Sequence, residues 1–515
     1  MKSEKGNENG IVKEKEIMAG EGNDKGSGKG NGKVIDKGNG KGNGKVIDKV
    51  NSKGKDKGTD NGNMESSVKE NKMGVMPVKK LIINMSIPMM ASMLVQALYN
   101  IVDSIFVSRL SESALTAVTV AFPMQTLMIA VGSGTGVGIN ALLSRSLGQK
   151  DYDRADKAAN TGIFVILCSY IVFALIGILF AGTFISMQTP VPEIREMGTT
   201  YLRIVCLFSF GIFFQMTFER LLQSTGRTVY SMISQMSGAV INLIFDPIMI
   251  FGLLGFPKLG VAGAAYATVL GQIVAAIIGL ILNVKKNEDI HLSGKAVFHP
   301  DKSTAKQIYA VGVPSILMIS IGSVMTFLMN LILKPFEATA QAVFGAYFKL
   351  QSFVFMPIFG MNNGLIPILA YNYGAKNRQR IDEALSFSLK LSVGIMCVGT
   401  LLFELIPAQL LSLFSASEEM LQIGVPALRI IGIHFPIAGC CIVMGSIFQA
   451  FSRSMNSLVI QVGRQLVVLI PVAYLLAQLG GVGAVWWAFP VAECASIILS
   501  TILFKKVYRE VVEPM

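Results

Sequence analysis

From Leu81 to Phe504 the chain alternates apolar stretches of about twenty residues with short polar loops. A helix of that length rises about 30 Å, the depth of a bilayer's hydrocarbon core. Lipid cannot hydrogen-bond free backbone groups, so each stretch predicts a membrane-spanning helix. Twelve spans can be placed, starting near Leu81, Leu115, Gly162, Gly198, Val229, Gly260, Ala310, Thr339, Ser386, Gly424, Leu458 and Gly483. Polar residues interrupt two of them at helical spacing. In LVQALYNIVDSIF of span 1, Gln96, Tyr99 and Asp103 stack on one face. In VINLIFDPIMIF of span 5, Asn242 and Asp246 lie four apart, and Pro247 is expected to loosen the helix and free the carbonyl of Leu243.

Composition agrees: 52% of the 515 residues are hydrophobic and 15% are charged, where soluble domains carry about a quarter charged. The first 75 residues differ. They hold 16 Lys against 12 Asp plus Glu, repeat GNGKVIDK at 30–37 and 42–49, and have few large apolar residues. A disordered, solvated tail beside an anionic membrane surface is expected there. The tail has neither arginine nor aromatics, which argues against a nucleic-acid partner. All six cysteines fall in apolar spans without a CxxC pair, so no disulfide framework or metal site is indicated. Basic residues cluster on alternate loops, 19 on one set and 4 on the other. The positive-inside rule then places both termini in the cytoplasm of a plasma-membrane protein.

The chain also repeats itself. GQKDYDRADKA (Gly148–Ala158) matches GAKNRQRIDEA (Gly374–Ala384) at an offset of 226, which also pairs Gln223, Arg227 and Ser231 with Gln449, Arg453 and Ser457, and Pro88 with Pro314. Spans 1–6 and 7–12 are therefore expected to be parallel copies related by an axis along the membrane normal. The implied organisation is a tail (1–75), a first lobe (76–284), a connector (285–305) and a second lobe with a short C-terminal tail (306–515). The fold class is all-α, with twelve spans in two pseudo-symmetric six-helix bundles. Such paired bundles suit alternating access, although a duplicated channel or scaffold would repeat too.

A charge at the bilayer centre costs about 2.5–3.5 kcal/mol on insertion scales, so buried acids persist where they face a cavity or partner. If the polar faces of spans 1 and 5 meet, Asp103 and Asp246 share one low-dielectric site, which a proton or bridging cation must neutralise. Asn242 and a hydroxyl such as Thr268 would complete an oxygen cage for Na⁺. A structural, permanently hydrogen-bonded role is the competing reading. With Pro471 aligned to Pro247, the second half carries Ile470 and Leu466 where the first has Asp246 and Asn242. The coupling site is thus expected in the first lobe alone.

YNIVDSIFVSRL, LLSRSLGQKDYDRADKA, LLQSTGRTVYSM and NLIFDP together resemble the multidrug and toxic compound extrusion (MATE) family, on its DinF- and MepA-like side. The resemblance runs from Lys79 to about Lys506. It implies a fold of two six-helix lobes and a role in H⁺ or Na⁺ binding for Asp103, Asn242 and Asp246. Gln96 and Tyr99 match the polar companions on span 1, Tyr201 matches a tyrosine near the site, and Thr268 is set beside them. Pro88 resembles the proline at which span 1 bends. The implied function is cation-coupled efflux of hydrophobic, cationic drugs by a monomer in the lipid bilayer. H⁺ or Na⁺ would be the coupling ion, with no other cofactor.

For the drug cavity, Met124, Met216, Met325, Phe327, Gln351 and Lys349 are nominated, since methionine adapts in shape and aromatic faces attract cations. Lys349 and Arg464 lie within second-half spans, where snorkelling or helix pairing is an equal reading. Glu219 and Arg220 are expected to form surface pairs. Glu404 and Glu493 show no partner in sequence, and His434 is read as structural. VGSGTGVG (Val131–Gly138) lacks the phosphate-loop ending and is read as a close-packing stretch. The closest rival function is a lipid-linked saccharide flippase of the same fold, which calls for arginines in the first-half spans. An enzyme is not expected, because no span holds a catalytic dyad.

Overall fold

The computed structural model describes residues 70–515 except Glu337 and Ser415. The tail expected over 1–75 thus falls, up to residue 69, outside the described residues. Residues 72–75 are already helical. Every regular element among the described residues is a helix. The first lobe comprises α1 (Lys72–Val75), α2 (Val78–Ser108), α3 (Glu112–Gly148), α4 (Tyr152–Ser186), α5 (Pro192–Leu207), α6 (Phe210–Ser224), α7 (Thr228–Phe251) and α8 (Val261–Lys286). After a connector containing α9 (Gly294–Val297) come α10 (Lys302–Leu333), α11 (Ala338–Gly374), α12 (Arg378–Leu405), α13 (Pro407–Ser412), α14 (Glu418–Gly432), α15 (Phe435–Ala450), α16 (Ser454–Val462), α17 (Ile470–Val485) and α18 (Ala488–Val507). A π-helical stretch, Gly463–Leu469, joins α16 to α17.

Among the described residues, ten helices or continuous helical runs are long and apolar enough to cross a membrane. Two further spans are bent pairs, α5–α6 at 44° and α14–α15 at 46°, which completes twelve. The two breaks fall at equivalent points of the repeat, around Phe208 and His434. Contrary to the expectation from Pro247, α7 runs unbroken through it to Phe251, because the proline sits in the last turn and little helix follows it.

The loops that betrayed the repeat in sequence are built alike. Asp151 caps α4 by accepting the Arg154 N–H at 3.0 Å, and Asn377 caps α12 by accepting that of Arg380 at 3.2 Å. Just before each cap, Lys150 (φ 59°) and Lys376 (φ 53°) turn the chain through the left-handed region.

The lobes share a core at one end only. The largest apolar cluster joins Leu81, Met85, Leu143 and Leu147 to Ile308, Met361, Leu365 and Leu369 from the other lobe. Elsewhere each lobe has its own core, around Phe173, Tyr201 and Phe213 in the first and Phe344, Tyr347 and Trp486 in the second. The shared end carries the two repeated basic loops. There the backbones approach so closely that side chains are excluded: Gly148 lies against the carbonyl of Tyr371, and Gly374 against that of Arg145. Both pairs obey the 226 offset, so the symmetry axis passes between them. Gly134 abuts the Ile316 backbone and its repeat mate Gly360 abuts Met90. The glycine-rich stretch of span 2 is therefore a close-packing seam, as its sequence indicated. Towards the other end of α2 and α3, Leu98, Ile101, Ile105 and Phe122 are exposed.

Gly148→Val puts a branched side chain where a backbone carbonyl already sits. Overpacking of this kind costs about 1–3 kcal/mol. Thermal unfolding in detergent should fall by several degrees, while Gly394→Val, with open space beside it, should leave the midpoint nearly unchanged. Equal midpoints would contradict a tight seam.

Candidate functional site

Helices α2, α7 and α8 pack around one buried polar site in the first lobe. Helical spacing puts Gln96, Tyr99 and Asp103 on the face of α2 that looks at α7. On α7, Gln235, Asn242 and Asp246 fall seven and four residues apart on the facing side. The carboxyls of Asp103 and Asp246 come within hydrogen-bonding range of each other. Asp246 is fully buried and Asn242 is 3% exposed.

With its amide oriented to satisfy both ends, Asn242 Nδ2 donates to Asp246 Oδ2 at 3.2 Å and Oδ1 accepts from Thr268 Oγ1 at 3.3 Å. Gln235 Nε2 donates to Gln96 Oε1 at 2.9 Å, tying α7 to α2. Tyr201 on α5 is buried near both carboxyls, and its Oη accepts from Gln125 Nε2 of α3 at 3.0 Å. Pro88 lies buried within α2, between the shared core and this site.

Beside the pair is a cavity lined by Gln96, Tyr99, Gln215, Gln235, Asn242 and Thr268, with Gln272 at its edge. About 40 Å³ is open to the centres of water molecules. That is room for about three waters or a small ion, and far too little for a drug. Several buried oxygens here face no donor: Asp103 Oδ1, Gln235 Oε1, Gln272 Oε1 and Ser92 Oγ. An unpartnered buried acceptor costs about 1–3 kcal/mol. The cluster is therefore built to receive something that oxygen lone pairs attract, namely a proton, a hard cation or donating water.

A MatE family profile matches residues 88–248 and 314–475, more than half of the chain and one block per lobe. The chain belongs to the MatE family. A multidrug export protein MepA of Staphylococcus haemolyticus is 26% identical over 422 residues, covering 82% of this chain and 92% of that protein. The MepA of Staphylococcus aureus strain MRSA252 is 25% identical, covering 81% and 91%. A solved structure described as the outward-facing conformation of a multidrug resistance MATE family transporter of the MOP superfamily superposes with a TM-score of 0.81 at 26% identity, covering 88% of this chain and all of that one. The protein is thus a multi-pass membrane transporter of the MATE multidrug efflux family.

The spans of this MATE protein bring together all seven residues that the sequence nominated for the site. Sequence reading missed Gln125, Gln215, Gln235 and Gln272. Their signal was present: Gln235 extends the Asn242–Asp246 face by seven residues, and Gln272 follows Thr268 by four.

Other expectations need correction. Glu219 and Arg220 are not surface pairs but are buried at 7% and 8% exposure. Arg220 Nη1 donates to Gln223 Oε1 and to Asn363 Oδ1 of the other lobe, both at 2.9 Å, and Glu219 Oε1 accepts from Gln215 at 2.9 Å. The end of α6 lies inside the inter-lobe seam, which hides it from solvent. Glu493 does have a partner, since Arg464 Nη1 meets its Oε2 at 3.0 Å within the second lobe. Arg464 therefore pairs helices. Met325 is buried in the second-lobe core. Met124 and Met216 are half-buried against the first-lobe core, and Gln351 is half-buried on α11. Phe327 is 63% exposed. Lys349 Nζ stands 5.8 Å from the Phe414 ring.

Removing one partner of a buried ion pair leaves the other charged and unpaired, at about 3–5 kcal/mol. Glu493→Gln should therefore lower the unfolding midpoint markedly. Joint replacement, Arg464→Met with Glu493→Leu, should restore most of it. A double variant no better than the single one would show that the pair is not self-contained.

Proposed function

We propose that this MATE protein is a cation-coupled antiporter that exports hydrophobic, cationic compounds by alternating access. The observation that carries the proposal is the juxtaposition of Asp103 and Asp246, two carboxyls beside one small polar cavity, with Asp103 Oδ1 unpartnered and, among the described residues, no basic side chain bonded to either. Such a pair is tolerable only while a proton or a bridging cation sits in it. Its occupancy therefore stores the driving gradient as a conformational preference.

With the basic-loop end shut, H⁺ or Na⁺ reaches the pair from the open, external side. Both termini then lie in the cytoplasm. Neutralising the pair removes the repulsion between the two carboxylates and so changes how the polar faces of α2 and α7 meet. The outer part of α2 rearranges about Pro88, whose missing N–H already weakens the helix. That movement changes the cleft between the lobes and releases the drug outward. Discharge of the ion to the cytoplasm follows when the seam opens.

In this reading the lobes are residues 76–284 and 306–515, joined by 285–305. Met124, Met216, Met325, Phe327, Gln351 and Lys349 are the nominated cleft residues. The protein works as a monomer in the plasma membrane and carries out no chemistry on its substrate. The names of its MepA relatives support multidrug export. The flippase reading calls for free arginines in the first lobe. Arg220, buried there, instead spends its N–H groups on Gln223, Asn363 and Ser133.

Purified protein in liposomes, loaded with a fluorescent cationic dye, tests this. Export should follow an imposed pH gradient or an imposed Na⁺ gradient, and the effective gradient names the ion. Asp103→Asn should abolish gradient-driven export while expression and unfolding midpoint stay near wild type. Wild-type export by that variant would overturn the assignment. Asn242→Ala removes the amide donor to Asp246 and should cut export about tenfold, in line with one charge-assisted hydrogen bond.

A further inference from the structure

The eight residues before α2 do not trail away from the bundle. Asn71 caps the short helix α1, its Oδ1 accepting the Met73 N–H at 2.9 Å. Its Nδ2 donates to the Thr225 carbonyl at 3.1 Å, in the first lobe, and to Asp289 Oδ1 at 3.2 Å, in the connector just after it. Arg227 donates to the other oxygen of Asp289 at 3.0 Å and holds that carboxylate in place. Met73 is fully buried in the shared core.

The following residues are gripped by the second lobe. Arg380 Nη2 donates to the carbonyls of Met73 (3.0 Å) and Met76 (2.7 Å), and Asn372 Nδ2 donates to Met73 at 3.3 Å. Arg380 is itself set by Nε donating to Asn372 Oδ1 at 3.1 Å. Gly74 passes so close to the Tyr371 ring that an added Cβ would stand 3.1 Å from its hydroxyl. Six residues thus bond to both lobes, across the end at which the lobes share a core, and lead directly into span 1.

We propose that Asn71–Met76 is an inter-lobe latch: it fastens the seam shut in the outward-facing state and must let go of one lobe before the seam can open. The inference rests on the alternating-access reading and adds a device to it. When the lobes part, Thr225 and Asp289 travel with one and Asn372 and Arg380 with the other. The segment cannot bridge both, so its bonds are made only in the closed seam. Interactions made in one state alone set the balance between the two. Because the latch is continuous with α2, its release and the rearrangement of span 1 are mechanically linked.

The test is the distance across the seam, measured by pulsed electron resonance on the full chain in nanodiscs. Spin labels go on exposed Asp153→Cys and Gln379→Cys, with the native cysteines replaced. A second pair within the first lobe, Asp153→Cys and Lys286→Cys, reports its integrity. Asn71→Asp keeps the cap on Met73, loses the donation to Thr225 and sets a carboxylate beside Asp289. Arg380→Ala releases the other side.

Each variant should raise the ratio of long to short seam distances by about tenfold, the effect of one lost charged hydrogen bond, with the intra-lobe distance unchanged. Seam distributions identical to wild type in both variants would overturn the latch. So would equal broadening of the intra-lobe distance, which would make the segment a support of the first lobe. If the wild-type seam stays short at every pH and Na⁺ concentration, the alternating-access reading fails and the latch with it. If the wild-type seam opens and the variants match it, only the latch fails.

Discussion

Two carboxyl groups held side by side in a medium that solvates neither charge are the constraint around which the first lobe is organised. The same constraint explains why the surrounding groups are amides and hydroxyls. A lysine or arginine beside Asp103 or Asp246 would neutralise the pair permanently, and the site would no longer respond to an ion. Asn242, Thr268, Gln96, Gln235 and Tyr201 hold the walls without supplying a counter-charge. The unpartnered oxygens left among them are the cost of keeping the site receptive.

The second lobe solves the same burial problem in the opposite way. Its interior holds Arg464 and Glu493 at 3.0 Å, a pair complete in itself and bonded further to Gln461. Glu493 also sits at a place related by the repeat to Gln272, which edges the first-lobe cavity, if the offset of GVAGAAYA against GVGAVWWA is used. Duplication therefore supplied two related buried polar positions. One acquired acids without bases and the other acquired one of each. In the proposed cycle only the first exchanges its counter-ion.

Much of this was legible in the sequence because the bilayer simplifies the code. The twelve spans, their division into two copies and the polar faces of spans 1 and 5 all follow from length, offset and helical spacing. The repeat even forecast geometry, since Lys150 and Lys376 share a left-handed backbone and Gly148 and Gly374 meet across the axis. The failures share the fact that local sequence does not reveal which side chains meet across helices or which surface the other lobe covers. Glu219 and Arg220 stand near a helix end, where charge ordinarily meets water. Here that end is roofed by α11, and Arg220 bonds across to Asn363. Arg464 and Glu493 lie 29 residues apart on different helices, so their pairing has no local signal. Gln235 on α7 and Gln272 on α8 give a weaker signal than an acid does, because an uncharged amide costs less to bury in a span.

The position of Pro88 joins these strands. Below it, α2 is clamped by the shared core, by the close approach of Gly364 to Met85, and through α1 by Arg380 and Asn71. Above it, α2 carries Gln96, Tyr99 and Asp103 towards α7, and its outer apolar residues are free of the other lobe. The helix is thus held firmly on one side of its weakest point and held on the other by a polar site whose charge can change. A shift in the balance of forces at Asp103 has nowhere to be absorbed except at the proline, where the hydrogen-bond ladder is already interrupted. Conversely, parting of the lobes pulls first on the clamped half. The same helix can therefore carry information in both directions between the ion site and the seam, which is the property an antiporter needs if ion and drug are never to cross together.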